Sequence, residues 1–300
     1  MRLSKKLLAA AAVIPLVALL AGCASGAGES GGDDKGTSSN PVKIGVVGAS
    51  DPYWETYKKA AADEGISVDI VDFAEYTQPN PALTEGEIDL NQFQHIVYLA
   101  QYNESAKQDL TPIGSTAIYP LGLYSTKVKS VKEIKEGDTV AIPNDESNLS
   151  RGLLVLQSAG LVKLKDGGNI FSTVDDVLPE SKVKVTTLEA SLTPTSLPDV
   201  AAAIINNDFI TDAGLKASDA IAQDDPSDPN ALPYVNIFAA KAKDKDNATY
   251  LKLVKIYQDT KAVTDGVVEN SGGTAVVLKT PVADLVKSLA TVQKDIANKK

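Results

Sequence analysis

The stretch TVAIPNDESNLSRGLLVLQSAG, residues 139–160, decides the fold class. Thr139 to Ile142 is a short apolar run that reads as a strand, and Asn144 to Arg151 is a polar segment that leaves it. From Leu149 to Ala159 the apolar residues recur at helical spacing, and Gly160 stops the run. Strand, polar turn and helix within 22 residues is one half of a βαβ unit.

The same alternation extends outward in both directions. Upstream, Lys43 to Gly48 is a strand, Tyr53 to Asp63 a helix ended by Gly65, and Ile66 to Phe73 a second strand. Glu85-Gly86-Glu87-Ile88-Asp89 is a turn into another apolar stretch. Downstream, Val183 to Leu188 is a strand, Val200 to Ile205 reads as helical, and Tyr234 to Ala239 is a strand. Two long helices are expected over Ala248–Val268 and Thr280–Ala297. Strands and helices alternating at this spacing imply mostly parallel sheets. Three hundred residues suit two modest domains better than one core. Pro120 and Pro233 lie at candidate crossovers, which would make the first domain discontinuous, 42–121 plus 233–300, and the second 122–232. Ligands of such sheets sit at the carboxyl ends of the strands.

Composition removes several function classes. Asp plus Glu number 39 against 29 Lys plus Arg, and that balance argues against nucleic acid as the main partner. A single Cys rules out an internal disulfide and a Cys-based zinc site, and a single His rules out any two-histidine site. No GxSxG, HExxH, P-loop or strand-following GxGxxG is present, so no enzyme class, cofactor or metal is expected. The carboxylates of DDPSDPN, 224–230, lack EF-hand spacing and read as an exposed loop.

Residues 1–22 read as a signal peptide: Arg2, Lys5 and Lys6, then 14 apolar residues from Leu7 to Leu20, short for a membrane span. The run ends Leu20-Ala21-Gly22-Cys23, with the only Cys of the chain directly after small residues. Residues 24–41, ASGAGESGGDDKGTSSNP, hold no large apolar side chain, so 23–41 is expected to be a flexible tether.

Several polar groups fall at strand ends or helix starts. Ser147 is a plausible N-cap, and Asn148 and Arg151, three apart, share a helical face. An Arg in a first turn opposes the helix dipole; it reads either as an anion ligand or as a surface residue paired with Asp145 or Glu146. His95 and Tyr98 are also three apart, and a lone His is commonly structural. Asn206-Asn207-Asp208 reads as a C-cap turn, and Asn236 as the outward face of a strand or a cleft ligand.

Taken together, the segments KIGVV (43–47), FAEYTQPNPALTEGEIDLNQFQH (73–95), IYPLGLYS (118–125), VAIPNDESNLSRGLLVLQ (140–157), AAIINNDFITDAGL (202–215) and PYVN (233–236) resemble the methionine-binding lipoproteins of ABC transporters, the NLPA-type substrate-binding proteins. The resemblance runs from about 42 to 270 and includes the lipobox at Cys23. It implies an α/β, two-lobed periplasmic-binding-protein fold with a ligand cleft between two mixed or parallel sheet domains. Cys23 would carry the lipid and become the mature N-terminus, holding the protein at the outward face of the cell membrane.

By position, Arg151 corresponds to the residue that pairs with the ligand carboxylate and Asn148 to a polar contact beside it. Asn206 and Asn236 match the asparagines at the amino acid's polar end; Tyr76, Phe93, His95 and Tyr98 match the aromatic side that encloses a thioether. The implied partners are L-methionine, D-methionine or a close analogue, and an ABC permease with its ATPase; a monomer is expected. The alternatives are a receptor for another amino acid or small anion, or a surface lipoprotein without a transport role. Three features depart from the family pattern: Phe209 where Tyr is commoner, the Pro-bearing stretch 192–199, and a long tail from Thr280 that reads as an added amphipathic helix.

Overall fold

Residues 35–298 are described by a computed structural model. The expected signal peptide, Cys23 and the tether up to residue 34 lie outside the described residues. The strands in chain order are β1 (Val42–Val46), β2 (Val68–Asp72), β3 (Leu90–Asn91), β4 (Thr111–Ser115), β5 (Ala117–Ile118), β6 (Gly122–Tyr124), β7 (Thr139–Pro143), β8 (Lys184–Leu188), β9 (Ala202–Ile205), β10 (Ala222–Gln223), β11 (Ile237–Ala240) and β12 (Val276–Val277). The α-helices are α1 (Pro52–Asp63), α2 (Pro79–Glu85), α3 (Ile96–Ala106), α4 (Glu146–Ser158), α5 (Ala248–Asp259), α6 (Lys261–Asn270) and α7 (Val282–Asn298).

Two five-stranded sheets result, in the orders β2-β1-β3-β11-β4 and β10-β6-β9-β7-β8, with β5 and β12 forming a small antiparallel ribbon. Each sheet is mixed. In the first, β1 runs parallel to β2 and β3, while β11 is antiparallel to β3 and β4. In the second, β7 is parallel to β8 and β9, while β6 and β10 are antiparallel.

Aromatic packing fills one face of the first sheet, where Trp54, Tyr57, Phe238 and Tyr257 are almost fully buried. The opposite face is covered by α2, α3 and α7 through Leu83, Leu99 and Leu285. Around the second sheet, Leu153 and Leu156 of α4 lie on Ile142 and Ile204. A further buried cluster, including Tyr76, Phe93 and Phe209, joins residues from both sheet regions. The turn after α2 depends on Gly86, whose φ of 87° is the left-handed region that glycine enters freely.

The structure departs from the local reading at five places. Val200–Ile205 is a strand from Ala202, not a helix, because AAII is buried on both faces and an unbroken apolar run has no period to read. The single helix over Ala248–Val268 is two, broken at Thr260, whose backbone is extended. The strand expected from Tyr234 begins at Ile237, after a 3₁₀ segment at Pro229–Tyr234. The last part of the tether is packed: Lys35 pairs with Asp89 at 2.9 Å, and Ser67 N–H donates to Gly36 O at 2.7 Å. Finally, the tail helix α7 is no appendage. Leu285, Leu289 and Val292 form a buried stripe against the α3 side of the core.

Candidate ligand-binding site

The cavity is built where chain segments leave strands. After β7 the chain turns at Asn144 and Asp145 into α4. The N-cap is Asp145 rather than Ser147: Asp145 Oδ1 accepts from Asn148 N–H (3.0 Å) and from the Ser147 hydroxyl (2.9 Å). The first two turns present Asn148 and Arg151 on one face. After β9 the chain continues into Asn206, Asn207 and Asp208, a 3₁₀ turn that follows a strand, not a helix C-cap. On the first sheet, residues 73–78 follow β2 and supply Tyr76, while Phe93, Gln94 and His95 follow β3. That second segment is held by a buried amide cluster in which Gln94 and Asn80 exchange hydrogen bonds at 2.7 and 2.8 Å. Asn236 bridges to His95 just ahead of β11, with its backbone N–H donating to Ala117 O.

All eight positions expected to bind ligand, Tyr76, Phe93, His95, Tyr98, Asn148, Arg151, Asn206 and Asn236, line one cavity. The room inside it for water-sized atoms is small, about 40 Å³. One wall is aromatic. Tyr76 lies 5.9 Å from Phe93 and 6.2 Å from Tyr98 between ring centroids, and Phe209 backs Tyr76 at 5.1 Å.

The other wall is polar and centred on Arg151, which is 6% exposed. Its Nε donates to Asp224 at 2.6 Å, its Nη2 donates to Tyr119 O at 2.8 Å, and its guanidinium lies 4.4 Å from the centre of the Tyr234 ring. Neither Asp145 nor Glu146 pairs with it. Nη1 makes no hydrogen bond to the described residues, so its two N–H groups and the second N–H of Nη2 remain for a ligand. Asp224 also accepts from Leu121 N–H at 2.8 Å. The expected exposed loop at 224–230 therefore turns its first carboxylate inward.

Electrostatics give each group a direction. His95 Nδ1 accepts from Tyr98 N–H at 3.2 Å, so the ring proton sits on Nε2. Burial, followed by the charge of Arg151, lowers the His95 pKa to about 3 and keeps the ring neutral, although neighbouring Asn148 opposes this. Among the described residues, His95 Nε2 and Asn206 Oδ1 are buried without a partner at hydrogen-bond distance. Asp208 is pushed up to about 6, chiefly by burial, while it accepts from the Tyr76 hydroxyl at 2.6 Å. Beside that contact, Ser191 donates to Glu75 at 2.5 Å, so two hydrogen bonds join the walls. Among the described residues there is no cluster of His, Cys, Asp or Glu suited to a metal.

Asp208, Asp224, Tyr119 and Tyr234 were not expected in the site. Asp208 and Tyr234 each stood two residues from an expected one, Asn206 and Asn236, and the reading of 206–208 as a cap turn hid Asp208. Tyr119 lines the cavity, while Asp224 and Tyr234 touch Arg151 from outside the lining, through contacts far apart in sequence that no local pattern reveals.

The NlpA lipoprotein family profile matches residues 42–278. A probable D-methionine-binding lipoprotein MetQ of Pasteurella multocida is 38% identical over 272 residues, 89% of this chain and 97% of that protein. Among solved structures, an ABC transporter periplasmic substrate-binding protein from Coxiella burnetii superposes with a TM-score of 0.73 at 34% identity, covering 79% of this chain and all of that one. A nutrient-binding protein from Burkholderia cenocepacia bound to methionine gives 0.73 at 38% identity, covering 79% of this chain and 99% of that one. The two sheets form the fold of the periplasmic substrate-binding proteins, and the chain belongs to the NlpA lipoprotein family.

Proposed function

We propose that this protein is the substrate-binding lipoprotein of an ABC importer, capturing methionine outside the cytoplasm and delivering it to the permease. The observation that carries the reading is the polarity of the cavity. A guanidinium nitrogen is free of hydrogen bonds to the described residues, an amide oxygen has no partner among them, and rings, the neutral imidazole of His95 included, line the opposite wall. A carboxylate suits the donors, an ammonium suits the acceptor, and a thioether suits the rings. The relatives' methionine specificity supports the same ligand. Binding and release, not catalysis, is the activity.

In this reading Arg151 holds the carboxylate, with Asn148, Asn206 and Asn236 around the polar end and Tyr76, Phe93, His95 and Tyr98 around the side chain. The lobes are 42–121 with 233–300, and 122–232, closing about crossovers near Pro120 and Pro233. Cys23 carries the lipid that holds the receptor at the membrane; none of the described helices is long and apolar enough to cross it.

The test is a thermal melt of the chain from residue 24, unfolded and refolded to remove carried ligand, against a panel of amino acids. Starting at residue 24 retains Lys35 and Gly36, which pack on the body. L- or D-methionine should raise the midpoint far more than other amino acids, following RT ln(1 + [L]/Kd). No shift with either enantiomer would overturn the assignment.

A further inference from the structure

The hydrogen bonds behind the cavity have a fixed polarity. Asp145 sits at the start of α4 and its carboxylate can only accept. Asn148 Nδ2 lies 3.0 and 3.1 Å from the two Asp145 oxygens, so the amide nitrogen of Asn148 must face Asp145. That turns Asn148 Oδ1 toward Asn206, whose Nδ2 donates to it at 3.0 Å. With its nitrogen turned to Asn148, Asn206 points its oxygen the other way, although one N–H of that nitrogen stays unused. That oxygen is buried and has no hydrogen-bond partner among the described residues. The orientation follows from the carboxylate and needs no sight of hydrogens.

We infer that Asp145 is a positioning residue: through Asn148 it locks the Asn206 amide with its oxygen toward the cavity, making that oxygen an acceptor reserved for the ligand's ammonium group. This rests on the functional reading above, since it requires a ligand bearing an ammonium. Without the carboxylate anchor, both amides could turn over and offer an N–H to the ammonium instead. Asp145 reaches the ligand only through the relay. Its capping of α4 is a separate role that Asn or Ser also performs well.

The Asp145→Asn variant separates the two roles, with Asp145→Ser as a second probe. Affinities for L-methionine and for 4-(methylthio)butanoate, which has the same chain and carboxylate but no ammonium, are measured by calorimetry or competition. The wild type should favour the amino acid. In Asp145→Asn the affinity for L-methionine should fall about tenfold or more, while that for 4-(methylthio)butanoate stays within about twofold and the ligand-free melting midpoint stays near wild type. An Asn206→Ala background distinguishes the relay from mere loss of a nearby negative charge. There Asp145→Asn should have no further effect, whereas a through-space charge effect would persist.

An unchanged preference in Asp145→Asn, an equal loss of both ligands, or full additivity with Asn206→Ala would each overturn the relay while leaving the receptor reading intact. A wild type that binds no methionine would instead overturn the receptor reading, and the relay with it.

Discussion

The two walls of the cavity are held in place by different physics. The polar wall is fixed from behind by directional bonds: Arg151 by Asp224 and the Tyr119 carbonyl, Asn206 by Asn148, and Asn148 by Asp145. The aromatic wall is held by ring contacts of 5 to 6.5 Å, and its ties to the polar wall are Tyr76 to Asp208 and, beside it, Glu75 to Ser191. Directional bonds permit one arrangement, since each unpaired buried donor or acceptor carries a penalty of roughly 1–3 kcal/mol. Ring contacts tolerate small changes of shape. The charged end of an amino acid is therefore selected strictly and its side chain loosely. Changes on the polar wall should be costly, and trimming the aromatic wall should not.

The largest effect is expected at Arg151. Arg151→Ala removes the free fork nitrogen and leaves Asp224 without its cation. Breaking a buried, hydrogen-bonded pair typically costs about 3–5 kcal/mol, so methionine affinity by titration calorimetry should fall by roughly a hundredfold or more. Arg151→Lys should recover little, because an ammonium cannot hold Asp224, the Tyr119 carbonyl and a ligand at once in the fork geometry. Affinity within tenfold of wild type in Arg151→Ala would remove Arg151 from the ligand.

A smaller effect is expected at the tie between the walls. Burial holds Asp208 near 6 in the folded protein against 3.8 for the free residue. The folded state therefore binds this proton more tightly than the unfolded chain does. The stability it contributes is full below about 3.8 and is lost as pH rises through about 6. Ionised Asp208 is thus a burden of at most about 3 kcal/mol at neutral pH, reduced because the residue is only partly buried. Asp208→Asn keeps an oxygen for the Tyr76 hydroxyl and drops the charge. Urea unfolding should show no difference from wild type near pH 4 and a growing stabilisation up to pH 7. A difference that does not change with pH would mean that Asp208 is not strained by burial. A stabilising substitution inside the cavity would mark the acid as kept for binding rather than for folding.

How much of this is legible in the sequence also divides along the two walls. The strand and helix bearing Asn148 and Arg151 are legible because period and stop agree within 22 residues, although the cap is Asp145 and not the expected Ser147, and their spacing puts both on one face. Arg151's partner is not, because Asp224 lies 73 residues away in a segment that looks like a solvated loop. His95 is recognisable as a singular residue, yet its neutrality depends on burial and on Arg151, both products of tertiary structure. Asn206 looks like a cap and Asn236 like the outward face of a strand or a cleft ligand, and the family resemblance points both to the cavity. The run AAII reads as helix because a strand buried on both faces carries no alternation. Local signals specify elements; partners across the cleft arise from the topology.

The smallest effect sharpens the contrast. Tyr98 leans on Phe93 at 5.6 Å and on Tyr76 at 6.2 Å, and its hydroxyl takes no hydrogen bond from the described residues. If the aromatic wall acts by contact alone, Tyr98→Phe removes nothing the ligand uses. Methionine affinity should then change by less than about 0.5 kcal/mol, within the usual range for a substitution that leaves no polar group unpaired. Tyr98→Ala, which deletes the ring, should lose about 1–3 kcal/mol through the exposed apolar surface. The comparison depends on the ratio of these two losses. Equal losses in the Phe and Ala variants would mean that the hydroxyl, not the ring, touches the ligand, and the aromatic wall would then be directional like the polar wall facing it.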